Sequence, residues 1–359
     1  LLANLISKAY EGPHNKSFVK KAKAKLNNSN IKVVGITGSY GKTSCKKILA
    51  DILSEKYRVL STPRSHNTPM GLALAINNND LTSYDIFIAE MGARHVGDIA
   101  ELCEFCPPDI ALITGICPQH LESFGSIENV VKAKAEILKG GAEAYIAPEC
   151  FTLFEAYSGV KHCADCVSDM VCNAEGSTFN LNLGGKTYKA HTRLLGAHSV
   201  RNVAISALVA YNLGMTAEEI VAAIEKLDFI EHRLQLIKSG GVNILDDGYN
   251  SNINGAAAAL EVLKSFEGRK IVVTPGLVEL GVLEEEENTR LGERLVGLDF
   301  VILVGETLIA PVKNGYLAGG GNAATLKIVP TLNVAQEELK RILQPNDTVL
   351  FLNDLPDIY

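Results

Sequence analysis

Residues 31–44, Ile-Lys-Val-Val-Gly-Ile-Thr-Gly-Ser-Tyr-Gly-Lys-Thr-Ser, restrict the fold more than any other stretch of this chain. An apolar, β-branched run (Ile31, Val33, Val34, Ile36) leads into a glycine turn. A helical pattern follows, with Ile48, Leu49, Ile52 and Leu53 at helical spacing. The order strand, glycine turn, helix start builds an anion site. Backbone N–H groups at the helix N-terminus point at the anion, and glycine lets the main chain approach without a Cβ in the way. Lys42 supplies a point charge for terminal phosphates, and the Thr43 hydroxyl can hold magnesium. The strict spacing G-x-x-x-x-G-K-[ST] asks for glycine where Ile36 stands, whereas the glycines here are Gly35 and Gly38. A looser pattern, Thr37-Gly38-Ser39-Tyr40-Gly41-Lys42-Thr43-Ser44, takes its place, and these eight residues are the candidate nucleotide-binding loop.

Further candidates sit where other strands end. The run Asp85–Ala89 predicts a buried strand closing on Glu90-Met91-Gly92-Ala93. A carboxylate there lies on the sheet edge where open α/β folds bind ligands, so Glu90 can meet a magnesium ion on the nucleotide. Asp109–Thr114 predicts the next strand, followed by Cys117-Pro118-Gln119-His120-Leu121-Glu122-Ser123, which puts His120 on the same edge. An amphipathic helix over 127–139 carries Lys132 and Lys134. Short strands then replace the βα pattern up to Thr192, with a hairpin around Gly184-Gly185. Two helices follow, the second capped by Thr216 with Glu219 three residues on. Near Glu231-His232-Arg233 a second alternation of strands and helices opens and runs to the C-terminus without a phosphate loop of its own. The expected division is a lead-in over 1–30, a central ATP-binding domain over 31–230 and a C-terminal Rossmann-like domain over 231–359.

Composition narrows the partners. The 359 residues suffice for two domains, and 47% hydrophobic with 21% charged residues matches a chain that buries full cores. A net charge of −7 offers no basic field for nucleic acid, and no run approaches the roughly eighteen apolar residues of a membrane span. The chain opens on Leu1, not Met, so an upstream domain or membrane anchor stays open. Eight cysteines include the pairs Cys103/Cys106 and Cys163/Cys166, much farther apart than the roughly fifteen to twenty residues usual between the halves of a zinc site. Reduced structural thiols and a cytoplasmic location are expected.

Taken together, GITGSYGKTS, AEMGA with GDI, QHLESFGS, KAKAEI, GAHSVRN, EHR and DDGYNSN resemble the Mur ligases, closest to their MurF branch, in order from Ile31 to Gly281. The resemblance implies an α/β protein with a central P-loop ATPase domain on a mostly parallel sheet and a C-terminal domain that closes over the nucleotide. It implies a ligase of peptidoglycan precursor synthesis. ATP activates a muramoyl-peptide carboxylate as an acyl phosphate, and D-alanyl-D-alanine or a related amine attacks it. Thr43 and Glu90 would then hold magnesium on ATP, and His120 a second magnesium. Lys134 matches a lysine that becomes carbamylated. Asn202 would lie near the adenine, Arg233 would reach the phosphates from the C-terminal domain, and Asp247 would contact the ribose beside Tyr249, Asn250 and Asn252.

Three departures accompany the match. The N-terminal domain that grips UDP has no counterpart among the residues before the loop strand. Pro275-Gly276-Leu277-Val278-Glu279-Leu280-Gly281 stands where G-D-M-x-E-L-G is usual, and Cys117-Pro118-Gln119 replaces a small or apolar approach to His120. Two other readings stay open: a folylpolyglutamate-type ligase, and an ATP-binding partner subunit that does not ligate.

Overall fold

The computed structural model describes residues 2–157, 159–162, 166–249 and 252–353, without the side chains of 2–14 and 162. Asn250 and Cys163 therefore lie outside the described residues.

The chain begins with α1 (Leu2–Asn27). The first thirty residues, expected as a lead-in, are thus mostly one helix, and part of it joins the core. The apolar pair Ala22 and Leu26, one turn apart on an otherwise basic helix, is buried against the central core. Lys25 Nζ donates to the carbonyls of Ile76 (3.0 Å) and Asn77 (3.4 Å), at the end of a neighbouring helix. That contact satisfies carbonyls which a helix end leaves without partners.

The central domain then alternates strand and helix: β1 (Lys32–Thr37), α2 (Lys42–Ser54), β2 (Val59–Ser61), α3 (Pro69–Asn77), β3 (Ile86–Glu90), α4 (Asp98–Phe105) and β4 (Ile110–Ile113). Next come α5 (Leu121–Phe124), α6 (Ile127–Ala135), β5 (Glu143–Ile146) and β6 (Val160–His162). The six strands form one sheet in the order β2-β3-β1-β4-β5-β6, parallel at every pairing. Every residue of β3 and β4 is buried, as continuous Ile/Leu/Phe/Ala runs require when helices cover both faces. The order reverses at β1, flanked by β3 and β4, and this switch point is where open α/β sheets make their ligand crevice.

A three-stranded antiparallel sheet, β7 (Val167–Asn173), β8 (Gly176–Leu183) and β9 (Lys186–Thr192), follows, and Gly184 and Gly185 make its tight turn at φ 57° and 77°. Helices α7 (Ala197–Asn212) and α8 (Ala217–Glu225) complete the domain, α8 starting on a capping box of Thr216 and Glu219.

The C-terminal domain contains β10 (Gln235–Ser239), β11 (Val242–Asp247), α9 (Ile253–Lys264), β12 (Lys270–Thr274), α10 (Glu284–Arg294) and β13 (Phe300–Val304). It closes with α11 (Ile309–Ala318), β14 (Leu326–Val329), α12 (Leu332–Ile342) and β15 (Thr348–Leu352). Its sheet order is β10-β11-β15-β12-β13-β14. Only the edge strand β10 runs antiparallel, because it joins β11 through a two-glycine turn too short for a crossover. Two apolar clusters, one on each face, hold helices to this sheet.

Candidate active site

The loop after β1 takes its shape from two glycines. Gly38 has φ +152°, and a Cβ there would come within 2.4 Å of Thr114 Oγ1. Gly41, at φ +78°, turns the chain into α2 in the left-handed region. The loop is tied to the segment after β4: Ser39 N donates to Gly115 O at 2.7 Å, and Ser39 Oγ to Cys117 O at 3.2 Å. The Tyr40 ring lies on Gly115, where a Cβ would meet it at 2.4 Å. Lys42 Nζ curls back over the loop carbonyls of Gly38 (2.8 Å) and Ser39 (3.1 Å). Burial lowers the Lys42 pKa, with Glu90 opposing the shift and Arg233 adding to it.

Beside this loop, the Glu90 carboxylate is held on three sides. Its Oε2 accepts from Thr43 Oγ1 at 3.1 Å and pairs with Lys46 Nζ at 3.0 Å, and its Oε1 accepts from Asn67 Nδ2 at 3.3 Å. Gly92 leaves the room for Asn67, since a Cβ there would approach its amide to 2.6 Å. Thr43 and Glu90 are thus two hard oxygen donors side by side at the mouth of a phosphate loop. That donor set fits magnesium, which takes few protein ligands and fills its shell with phosphate oxygens and water. Among the described residues no three His, Cys, Asp or Glu side chains converge as a preformed metal cage, so a metal here would depend on the nucleotide.

Across the cleft, His120 Nδ1 lies 2.6 Å from Glu279 Oε2, and Glu279 Oε1 lies 3.6 Å from Arg94. Glu279 comes from the loop after β12, so this trio joins the two domains. Both His120 (φ 55°) and Glu279 (φ 61°) adopt the left-handed conformation, which costs a non-glycine residue about 1–3 kcal/mol. Burial lowers the His120 pKa against the pull of Glu279, with Arg94, Lys42 and Lys134 reinforcing the burial effect. A carboxylate on Nδ1 leaves Nε2 as the nitrogen available to a metal, the arrangement usual for ligating histidines.

Lys134 is 3% exposed and has no carboxylate partner among the described residues. Its ammonium lies over the Phe124 ring at 5.8 Å. Burial, then the charge of Lys42, lowers its pKa to about 7. A lysine half-neutral near physiological pH is nucleophilic toward CO2, so the residue fits carbamylation.

These groups surround a cavity of about 480 Å³, joined to a smaller one of about 110 Å³ over the phosphate loop. Ser39, Lys42, Asn67, Gln119, His120 and Tyr249 line both. Arg233 lines the smaller one, its guanidinium 4.4 Å from the Tyr249 ring centre and donating to Tyr249 O at 2.9 Å. Tyr249 in turn bonds Ser65 of the central domain at 2.7 Å.

The structure therefore brings together Gly38, Ser39, Tyr40, Gly41, Lys42, Thr43, Ser44, Glu90, His120, Lys134, Arg233 and Tyr249. It leaves three candidates off the cavity wall. Thr37 is fully buried and donates its hydroxyl to Met91 O, bracing the loop from behind. The Asn202 side chain lies against Gly41, 3.2 Å from where a Cβ would sit. Asp247 accepts from Leu234 N, and burial pushes its pKa up to about 6. Sequence reasoning missed Lys46, Asn67 and Arg94. Lys46 follows Lys42 by one helical turn and was legible as a same-face lysine. Asn67 and Arg94 lie in loops without a pattern.

A phosphate loop at the switch point of a parallel sheet, faced by an arginine and a glutamate from a second α/β domain, is the arrangement of a two-domain ATP-dependent ligase. The description "Mur ligase middle domain" matches residues 36–148, and "Mur ligase, glutamate ligase domain" matches residues 232–353. The chain belongs to the Mur ligase family. It is 29% identical over 355 residues to the UDP-N-acetylmuramoyl-tripeptide–D-alanyl-D-alanine ligase of Escherichia coli, covering 88% of this chain and 78% of that protein. It is 30% identical over 363 residues to the ligase of the same name from Mycobacterium tuberculosis, covering 91% and 71%. The structure of MurF ligase from Thermotoga maritima in complex with ADP superposes with a TM-score of 0.83 at 28% identity, over 95% of this chain and 80% of that one.

Proposed function

We propose that this chain joins D-alanyl-D-alanine to the terminal carboxylate of a UDP-linked muramoyl tripeptide at the expense of ATP. The carrying observation is a pair of adjoining cavities that share Lys42 and His120 from the central domain and Tyr249 from the C-terminal one, the larger lined also by Lys134 and the smaller by Arg233. In this reading the phosphate loop and Lys42 cradle the triphosphate, and Arg233 adds charge from across the cleft. The substrate carboxylate attacks the terminal phosphorus, ADP leaves, and the acyl phosphate is held where two domains exclude water. The amine then displaces phosphate.

Magnesium, when bound, neutralises charge on the transferring phosphoryl group. Thr43 and Glu90 would hold it on the nucleotide. His120, through Nε2, and Lys134 as a carbamate would support a second ion. The carbamate forms as the neutral Lys134 amine bonds to CO2 and loses a proton, turning a cation into an anion where a metal needs one. Asn202, Asp247 and the segment around Asn250 would serve the adenosine part.

No helix among the described residues is long and apolar enough to cross a membrane. The reading includes a cytoplasmic reaction with small molecules as partners, which dependence on ATP and the free cysteines among the described residues support. The relatives' common name favours a muramoyl peptide over a folyl polyglutamate.

The test is ADP release by the purified chain with UDP-muramoyl tripeptide, D-alanyl-D-alanine and ATP, with amide product confirmed by mass. Turnover with the full set and none without the dipeptide is expected. Silence with every muramoyl substrate rejects the reading.

A further inference from the structure

Residues 62–67, between β2 and α3, are pinned to the central domain around Glu90. Thr62 Oγ1 accepts from Glu90 N at 3.2 Å, and Asn67 Nδ2 donates to Glu90 Oε1 at 3.3 Å. The buried Lys46 ammonium, paired with Glu90, donates to Arg64 O. Asn67 O accepts from Gly92 N at 2.8 Å, and His66 N donates to Pro63 O at 3.0 Å to close a turn. Inside that turn Arg64 stands at φ 44°. A non-glycine residue keeps this left-handed conformation only where its surroundings over-determine it, and such positions gather at functional sites. Here the strained residue gives its carbonyl to Lys46, and the next residue, Ser65, lines the small cavity.

From this fixed base the Ser65 hydroxyl reaches the C-terminal domain, 2.7 Å from Tyr249 Oη. Tyr249 is 45% exposed, so packing alone does not set its ring. Its main chain is tied by Tyr249 N donating to His232 O at 3.3 Å, and its ring by Ser65 and Arg233. Arg233 in turn meets Tyr249 twice, stacked 4.4 Å from the ring centre and donating from Nη1 to the carbonyl at 2.9 Å. Tyr249 thus aims this guanidinium at the small cavity, which Arg233 lines together with Gly41, Lys42 and Thr43.

We propose that Ser65 is a positioning residue for Arg233. Its hydroxyl fixes Tyr249, and Tyr249 holds the arginine toward the phosphate loop. The inference rests on the ATP site of the ligase reading above and adds to it a residue that need not touch the nucleotide. Contacts run without a break from Glu90 through Lys46, Arg64, Ser65 and Tyr249 to Arg233. The segment that braces Glu90 in one domain therefore also sets where the other domain delivers its charge. A contiguous path is only a route, and coupling has to be measured as an energy that two sites share.

The experiment is a mutant cycle on ATP affinity, measured by calorimetry on full chains, with thermal melts of the nucleotide-free proteins as a folding control. Tyr249→Phe keeps the ring under Arg233 and removes only its hydroxyl. Ser65→Ala and Tyr249→Phe should each weaken ATP binding about three- to fivefold, the loss expected for one hydrogen bond. The double variant should be no weaker than either single one, because both remove the same contact. Ser65→Thr, which keeps a hydroxyl, should bind ATP like wild type. In an Arg233→Ala background, Ser65→Ala should change the affinity by less than about 1.5-fold. ATP affinity unchanged in Ser65→Ala overturns the assignment. So does an equal loss with and without Arg233, which would mean that Ser65 acts on the nucleotide or the fold by itself. A wild type that binds no ATP removes the ligase reading and this inference together. A wild type that binds ATP and follows the cycle but forms no amide rejects ligation and leaves the role of Ser65 standing.

Discussion

Replacing Lys46 by Met isolates the strongest buried charge pair of the site. Its ammonium stands 3.0 Å from Glu90 Oε2, with the two side chains 5% and 1% exposed, so solvent does little to screen them. At that distance and an effective dielectric of about 20 the attraction is about 5 kcal/mol before desolvation is charged against it. Removing one partner of a buried pair typically costs about 3–5 kcal/mol, because the other charge stays behind. Glu90 keeps the hydrogen bonds from Thr43 and Asn67, which places Lys46→Met at the low end, about 3 kcal/mol. Glu90→Gln should cost a comparable amount, since it leaves the buried ammonium with only the Arg64 carbonyl and the Thr62 hydroxyl and no counter-charge paired to it. The double variant leaves two neutral side chains of similar size, and its cost should fall short of the sum by about 2 kcal/mol or more. Urea unfolding of the nucleotide-free chain, followed by far-UV circular dichroism, measures the cycle on the transition of the central domain. If the single costs add to within about 0.5 kcal/mol, the two charges do not depend on each other and the reasoning fails.

Gly38→Ala should abolish tight nucleotide binding, by about tenfold or more in calorimetry, because both the φ of +152° and the nearby Thr114 hydroxyl exclude a Cβ; ATP affinity within twofold of wild type would contradict this. Lys134 binds its proton less readily folded (about 7) than unfolded (10.5), so the unfolded chain carries more protons between those values and stability should rise with pH across that window. The penalty is complete below about pH 7 and amounts to about 5 kcal/mol at most, and Lys134→Met in CO2-free buffer should flatten the slope. With labelled bicarbonate, the wild type should show a carbamate carbon signal in NMR that Lys134→Met lacks. Arg233→Ala should weaken ATP binding by about tenfold, and Arg233→Lys should not restore it, since a lysine keeps the charge but loses the planar stack on Tyr249; full rescue by lysine would refute the stacking role.

Much of the fold was legible because it is local. The βα alternation, the glycine loop, the Thr216 capping box and the Gly184-Gly185 hairpin each depend on neighbours in sequence, and all appear as expected. The misses are elements whose pattern is weak or whose burial depends on distant partners. Helix α1 reads as polar and basic, yet Ala22 and Leu26 are core residues because α3 lies beside them. The strand β10 is half-exposed at an edge and has little apolar signature.

The sequence by itself determined the candidate phosphate loop. A helix N-terminus and glycine backbone make an anion site from contiguous residues, and Lys42 and Thr43 come with it. It also placed Glu90 and His120 on one edge, since strand ends of a parallel sheet share that edge. Tertiary structure alone decided how those groups are used. Only folding puts Lys46 and Asn67 on Glu90, and Glu279, from the other domain, on His120. Only folding buries Lys134, with Asp98 and Glu136 too weakly placed to offset the burial, and leaves Gln119 Oε1 without a donor among the described residues. Such facts concern burial and pairing between residues far apart in the chain, and burial is set by the whole fold rather than by any stretch of it.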